Sequence, residues 1–588
     1  MSLLPEVKLF EKTENTVQLK DFQSLKGNTF SPVLLKQLKS AISGLVVSKG
    51  AKGCCAELCV PGKKSGLKAE DPGNGNDAYV IQISTNGIRI DSKTPAGVFY
   101  GFQTLLQMPE KLPCGTVKDE AAVPLRMIHW DLKGYQPKFE ILLEELEILA
   151  SYKVNAILLE LEDKYDYKCA PGIGCPTAFS FDEMRKISKY AADLHIMIVP
   201  KLQSIAHVDY MLKQPQYREL RENEHCYQFC CSSTKVDKLW NKMADELMEC
   251  FAEHPLYFHV GADEATYLGE CPKCKKLGVV GSYLRRTGKS IDHIIASGRT
   301  PIMWDDILRN SAKGMSDEQA KECWSLGKKS ILMYWDYGYG GKGNTFSFLR
   351  SYIDTGMRVW GASGYAGCDN WAGSLPPLEY RGLNSCAWTK SAVENKLECV
   401  CSTGWGRIGS ADCPAEPHES SWFTILYAAC NMWSGKTIDY TKFIYELSKN
   451  LYGECPDQAL VNAILNIGKS PYTLQNVLDK QFSSDRYSFL QLAAAAESLS
   501  VIRNMFCNWN QFYYGKLGNC LEDYRIEYMN RWPVMHAGNV AKFKKMLEPV
   551  LRHFYGIFTA DDFLNSRFGY LEKLIDDTMK PTEKTKKM

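Results

Sequence analysis

Leu256-Tyr-Phe-His-Val-Gly-Ala-Asp-Glu-Ala-Thr-Tyr267 reads as a buried strand that ends in two adjacent carboxylates. Period-two alternation sends Phe258 and Val260 to one side and His259, Gly261 and Asp263 to the other, with Glu264 where strand gives way to loop. Charged side chains are seldom buried unless they are paired or put to use. A carboxylic acid of raised pKa beside an ionised carboxylate lets one site run acid chemistry near neutral pH. The bland alternative makes Asp263 a helix cap and Glu264 a solvated neighbour, so the surroundings decide.

Outward from this stretch, strand and amphipathic helix alternate. Residues 127–132, 156–161 and 196–200 precede it as strands, and 301–305, 330–335, 358–361 and 399–404 follow. Between them, Phe139, Leu142, Leu143, Leu146 and Leu149 form one helix stripe, and Ser180-Phe-Asp-Glu183 is a capping box opening the next. Residues 234–251 give a third helix. Eight such units predict an α/β fold, a (β/α)₈ TIM barrel over residues 123–434. A small α+β domain precedes it at 1–122, with a hairpin turning at Asn86-Gly87 and a helix from Pro95 to Gln107. An all-α domain follows at 435–588, with helices over 440–452, 489–512 and 543–558, a connection at Tyr528-Met-Asn-Arg-Trp532 and a frayed basic tail from Lys580 to Met588.

Barrel chemistry sits at the C-terminal ends of the strands. The residues found there are Asp131 and Lys133; Glu160, Glu162 and Asp163; Gln203 and His207; Asp263 and Glu264; Trp304 and Asp305; Trp335 and Tyr337; Tyr365; Trp405 and Arg407. Acids, indoles and a histidine at one rim suit a neutral polyol, held between rings and offered carboxylates for its hydroxyls. Taken singly, His207 also reads as a supporting residue, and Asp305 and Lys133 as locally paired charges.

Composition agrees. The 588 residues carry a formal net charge of +2, so a polyanionic partner is not expected and nucleic acid is set aside. Thirteen Trp and thirty-one Tyr supply flat rings that match the apolar faces of sugars, although most must serve packing. With neither a signal peptide nor a membrane span in view, the 22 cysteines read as reduced thiols of a cytoplasmic protein; a removed leader would make them a disulfide framework. Cys271-Pro-Lys-Cys274 has metal-ligand spacing but no second such pair nearby. Cys226, Cys230 and Cys231 lie about forty residues upstream, and the expectation is no metal and no cofactor. Self-association as a homodimer stays open.

His259-Val-Gly-Ala-Asp-Glu264 resembles the His-x-Gly-Gly-Asp-Glu signature of the retaining β-N-acetylhexosaminidases, glycoside hydrolase family 20. The resemblance extends over roughly residues 75–430. Gly97-Val-Phe-Tyr-Gly-Phe-Gln-Thr-Leu-Leu-Gln107 is similar to the helix of that family's small α+β domain. Ile128-His-Trp-Asp-Leu-Lys-Gly134, Leu159-Glu-Leu-Glu-Asp163, Trp304-Asp-Asp306, Trp335-Asp-Tyr337 and Thr403-Gly-Trp405 resemble the hexosaminidase D branch. The resemblance implies an exo-acting, substrate-assisted enzyme acting on terminal β-linked GlcNAc or GalNAc. It implies Glu264 as acid and base, and Asp263 as the residue that steers the 2-acetamido group into an oxazolinium intermediate. It also implies Trp304, Trp335 and Trp405 as walls of the sugar pocket, with Tyr337 and Tyr365 competing to bond the acetamido carbonyl. Two departures stand out: Ala262 replaces the signature's second glycine, and Lys133-Gly134 stands where many members carry an arginine. For that arginine's hydroxyl contacts, Glu162, Asp163 and Arg407 are the candidate substitutes. The rival readings are a glycosidase of different specificity and a catalytically silent carbohydrate-binding barrel.

Overall fold

Eight parallel strands close into a barrel: Leu125–Asp131, Ala156–Glu160, Met197–Lys201, Tyr257–His259, Thr300–Trp304, Ile331–Trp335, Arg358–Ala366 and Cys399–Gly404. The eighth pairs with the first, Cys399 opposite Leu125. Strands buried on both faces read as unbroken apolar runs, which is why each falls close to its expected position. Met127, Leu158, Val199, Ile302, Trp304, Ile331, Met333 and Trp360 pack inside the closed sheet. This computed structural model describes residues 3–28, 30–50, 53–309, 315–338, 346–368, 373–407, 414–465, 472–509 (side chains to 499), 537–569 and 571–573.

Helices Phe139–Ser151, Phe181–Asp193, Thr234–Cys250, Gly278–Ala296, Leu378–Asn395 and Trp422–Ser434 surround the barrel. The capping box at Ser180 is formed: its N–H donates to Glu183 Oε2 at 2.8 Å and its Oγ accepts from the Glu183 N–H at 3.3 Å.

Before the barrel lies a seven-stranded sheet, ordered Leu9–Gln18, Lys111–Asp119, Tyr79–Ile83, Gly87–Ser92, Cys55–Cys59, Ser24–Gly27, Val46–Ser48. The hairpin turns as expected, with Ile83 opposite Ile88. Helix Pro95–Leu106 is capped by Thr94, whose hydroxyl accepts from the Gly97 N–H. It is buried on more than its one apolar face, from Gly97 through Leu105, because it lies between this sheet and helix Phe139–Ser151.

Buried charge fastens sheet to barrel. Arg126, fully buried at the start of the first strand, reaches Asp77 Oδ2 at 2.6 Å. Lys153 Nζ sits 3.0 Å from Asp119 Oδ2, which also accepts from Tyr79 and from the Trp433 indole N–H at 2.9 Å. The three side chains that meet Asp119 Oδ2 are themselves buried.

The C-terminal part is helical: Tyr440–Tyr452, Gln458–Leu465, Arg486–Trp509, Ala537–Phe554 and Ile557–Leu564. The single helix expected over 543–558 is instead two, because Gly556 adopts an extended conformation and caps the second. Residues 528–532 and the tail 580–588 lie outside the described residues. No described helix is long and apolar enough to cross a membrane.

Candidate active site

The fourth strand stops at His259, so the alternation does not run on to Asp263 as the sequence suggests. Gly261, Ala262 and Glu264 have φ of +67°, +76° and +46°, and these left-handed residues end the extended backbone of the strand. A Cβ at Gly261 would stand 1.8 Å from Gln203 Oε1, so glycine is required there both for its φ and for its closeness to the third strand's loop. Ala262 shares the left-handed geometry, which explains a second glycine in the signature. Its carbonyl is tied down by the Tyr283 hydroxyl at 2.9 Å, and the Glu264 N–H donates to Asp306 Oδ2 at 2.9 Å. Glu162 and His207, at φ of +47° and +55°, add to the left-handed backbone at the same rim. Such conformations persist where the surroundings over-determine them, and they cluster at functional sites.

The described residues enclose a cavity of about 290 Å³ at this rim. It is lined by Lys133, His207, Asp263, Glu264, Trp304, Trp335, Tyr337, Gly367, Cys368, Trp405 and Arg407. Nine of the sixteen strand-end residues named from sequence are therefore brought together, Lys133 among them. Tyr365, Asp131 and Glu162 are not among the lining residues. Tyr365 donates its hydroxyl to the His129 carbonyl at 2.9 Å. Asp131 accepts from the Gly406 N–H at 2.8 Å and holds the Lys133 ammonium at 2.9 Å, tying the loop after the first strand to the loop after the last. Glu162 is buried 3.8 Å from Lys133 Nζ, with its carboxyl raised well above the ordinary range by that burial.

Rings form the cavity walls. Trp335 stacks on Tyr337 with centroids 5.2 Å apart, and Trp304 leans on Trp405 at 5.6 Å. The Trp405 indole N–H donates to the Tyr337 hydroxyl at 3.0 Å. Asp305 pairs locally, as one of its sequence readings has it: Arg309 Nε lies 2.8 Å from its Oδ2, and the guanidinium sits 4.9 Å from the Trp335 ring centroid. The end of the sixth strand, at Trp335, is thereby held against a buried aspartate and its half-buried arginine.

Asp263 is buried, while Glu264 keeps 55% of its side chain exposed. His207 Nε2 lies 3.2 Å from Glu264 Oε2 and 3.5 Å from Asp263 Oδ2. Burial works against a charged His207 ring, but Asp263 and then Glu264 outweigh it and hold the imidazole above its usual range. The hydrogen bond from His207 in turn holds Glu264 below the ordinary carboxylate range, against the pull of burial. Beneath them Asp306 is pushed up to about 8, by burial first and by Asp263 second.

Two groups of this cluster were given no site role from sequence. Tyr227 bonds His207 Nε2 at 3.1 Å and donates to the Glu264 carbonyl at 3.2 Å; it sits inside a long irregular loop where no periodicity marks it. Asp306 had a usable signal, a doubled acid directly after the fifth strand. Among the described residues, the one grouping with metal-ligand geometry (Glu222, Cys230, Cys271 and Cys274) lies apart from the residues that line this cavity.

Comparison with known proteins points the same way. Two family models match: glycosyl hydrolase family 20, domain 2, over residues 1–120, and glycosyl hydrolase family 20, catalytic domain, over residues 133–346. Hexosaminidase D of Homo sapiens is 27% identical over 308 residues, a match covering 48% of this chain and 60% of that protein. Hexosaminidase D of Bos taurus is 27% identical over 313 residues, covering 48% of this chain and 84% of that protein. Among solved structures, the chitobiase of Flavobacterium johnsoniae superimposes with a TM-score of 0.60 at 16% identity, covering 100% of this chain and 95% of that one. The β-N-acetylhexosaminidase of Bacteroides fragilis gives 0.58 at 17% identity, covering 77% and 95%. With the two matched segments together spanning more than half of its length, and a barrel whose acid pair stands where the signature puts it, the chain belongs to glycosyl hydrolase family 20.

Proposed function

We propose that this chain is an exo-acting, retaining β-N-acetylhexosaminidase that removes terminal β-linked GlcNAc or GalNAc by substrate-assisted catalysis. The observation that carries the reading is the adjacent pair Asp263–Glu264 on a cavity walled by Trp304, Trp335 and Trp405. Two neighbouring acids suffice when the nucleophile comes with the substrate, since no carboxylate is then needed on the opposite face of the sugar ring.

In this mechanism Glu264, the more exposed acid, faces the leaving group and protonates the glycosidic oxygen. His207, held readily protonated, shares its proton with Glu264 across their 3.2 Å contact. The ionised form of Glu264 that His207 favours is the one needed afterwards, when Glu264 draws a proton from the attacking water. Buried Asp263 orients the acetamido nitrogen and stabilises the positive charge of the oxazolinium as the carbonyl oxygen attacks C1. For the acetamido carbonyl, Tyr337 is the better-placed tyrosine: it lines the cavity, whereas the Tyr365 hydroxyl is spent on His129. Lys133 and Arg407, both on the lining, bind sugar hydroxyls in place of the family's arginine.

The test is hydrolysis of aryl β-N-acetylglucosaminide and β-N-acetylgalactosaminide side by side, with a thiazoline mimic of the cyclised intermediate as inhibitor. Turnover that the thiazoline blocks at sub-substrate concentrations is expected, since mimics of the transition state bind far more tightly than substrate. Turnover indifferent to the thiazoline would remove the acetamido group from the mechanism.

A further inference from the structure

Cys271-Pro-Lys-Cys274 supplies two thiols at metal-ligand spacing, and the fold adds what the spacing lacks. Cys230 Sγ, from the loop after the third strand, lies 3.6 Å from Cys271 Sγ and 3.9 Å from Cys274 Sγ. A tetrahedral zinc site with bonds of about 2.3 Å requires sulfurs about 3.8 Å apart. The Cys274 N–H donates to Cys271 Sγ at 3.3 Å, an outer hydrogen bond that orients the sulfur.

A carboxylate completes the set. Glu222, only 3% exposed, places an oxygen so that all four donor atoms lie within 4.8 Å of one another. Its Oε1 accepts the N–H groups of Glu270 and Cys271, each at 2.8 Å, and its Oε2 accepts the Cys231 N–H at 3.3 Å. A buried carboxylate beside three clustered thiols is the mixed oxygen and sulfur donor set that a zinc ion takes.

We propose that Glu222, Cys230, Cys271 and Cys274 bind one Zn²⁺ as a closed structural site. Four protein donors leave no open position for substrate, and thiolates select zinc over calcium or magnesium, which take oxygen ligands. A Cys230–Cys271 disulfide would need the sulfurs to close to about 2.05 Å and would leave Cys274 and Glu222 outside the bond. The ion joins the loop of residues 202–233, which carries His207 and Tyr227, to the loop of residues 260–277, which carries Asp263 and Glu264. Its role as the staple that fixes the His207–Glu264 contact rests on the hydrolase reading; zinc binding itself does not.

Purified in reducing buffer free of chelators, the full-length chain is expected to hold about one zinc per chain by elemental mass spectrometry, released to a metallochromic dye by a mercurial thiol reagent. Cobalt in place of zinc should give thiolate-to-cobalt charge transfer and tetrahedral d–d bands. Cys271→Ser and Cys274→Ser should each lower bound zinc to less than about one-tenth per chain, with Cys455→Ser, at an exposed cysteine, unchanged. If a variant does not fold, the wild-type dye and cobalt measurements decide alone. Wild-type protein from zinc-supplemented cells that holds less than about one-tenth zinc, or whose peptides map a Cys230–Cys271 disulfide, overturns the site. Zinc without glycosidase activity leaves the site standing and removes the functional reading; activity without zinc does the reverse.

Discussion

His207 Nε2 stands 3.2 Å from Glu264 Oε2, a contact that ties the loop after the third strand to the loop after the fourth. The bond depresses the Glu264 pKa. With Glu264 as the proposed general acid, catalysis falls as pH rises through that pKa. In His207→Asn the falling limb of the kcat/KM profile should therefore move to higher pH. A limb that stays in place would show that this contact does not set the proton's affinity.

Glu264→Gln keeps the shape of the acid and removes its proton. Loss of general acid catalysis costs about 10²–10⁴-fold, and the loss is expected on natural glycosides and alkyl aglycones. Nitrophenyl glycosides, whose leaving group needs little protonation, should lose much less in the first step. Equal losses on both would contradict the acid assignment.

Asp306 is pushed up to about 8 in the folded chain, while an unfolded aspartate titrates near 4. Between those values the folded state keeps a proton that the unfolded state has released. Stability from this site is thus present in acid and drains as pH rises, at up to about 1.4 kcal/mol per pH unit within the window. Asp306→Asn retains a carbonyl oxygen for the Glu264 N–H and cannot ionise, so it should gain on the wild type between pH 5 and pH 8 in thermal melts. A constant difference across that range would mean Asp306 is already ionised when folded.

Ala262 occupies a left-handed conformation that costs an L-residue roughly 1–2 kcal/mol. Glycine removes that strain and adds unfolded-chain entropy of about 0.4–1 kcal/mol. Ala262→Gly should therefore be neutral or stabilising by up to about 1 kcal/mol in chemical denaturation, where an interior Ala→Gly change of ordinary φ destabilises. A clear destabilisation would show that the Ala262 methyl packs to more effect than its backbone strains.

The barrel was legible because strands covered on both faces leave unbroken apolar runs such as Ile331–Trp335, and because Ser180-Phe-Asp-Glu183 announces a helix by its own chemistry. Backbone that departs from regular geometry was not. The left-handed turn after His259 has no hydrophobic period, so alternation was carried too far there. Around Tyr365 the register of the seventh strand shifts between Gly364 and Ala366, and its hydroxyl meets the His129 carbonyl, a placement that local pattern does not encode. Tyr227 and Cys230 take their places only when two long loops meet, a contact between residues about forty positions apart that local pattern does not encode.

Arg126 and Lys153 belong to the barrel, yet the acids that neutralise them, Asp77 and Asp119, belong to the sheet before it. A fragment begun after residue 122 would inherit two cations stranded in an interior. Losing one partner of a buried pair costs about 3–5 kcal/mol, a large part of what keeps most folded chains intact. Truncation intended to isolate the catalytic unit should thus yield aggregates, and attempts to minimise or graft the barrel must bring along the amino-terminal sheet.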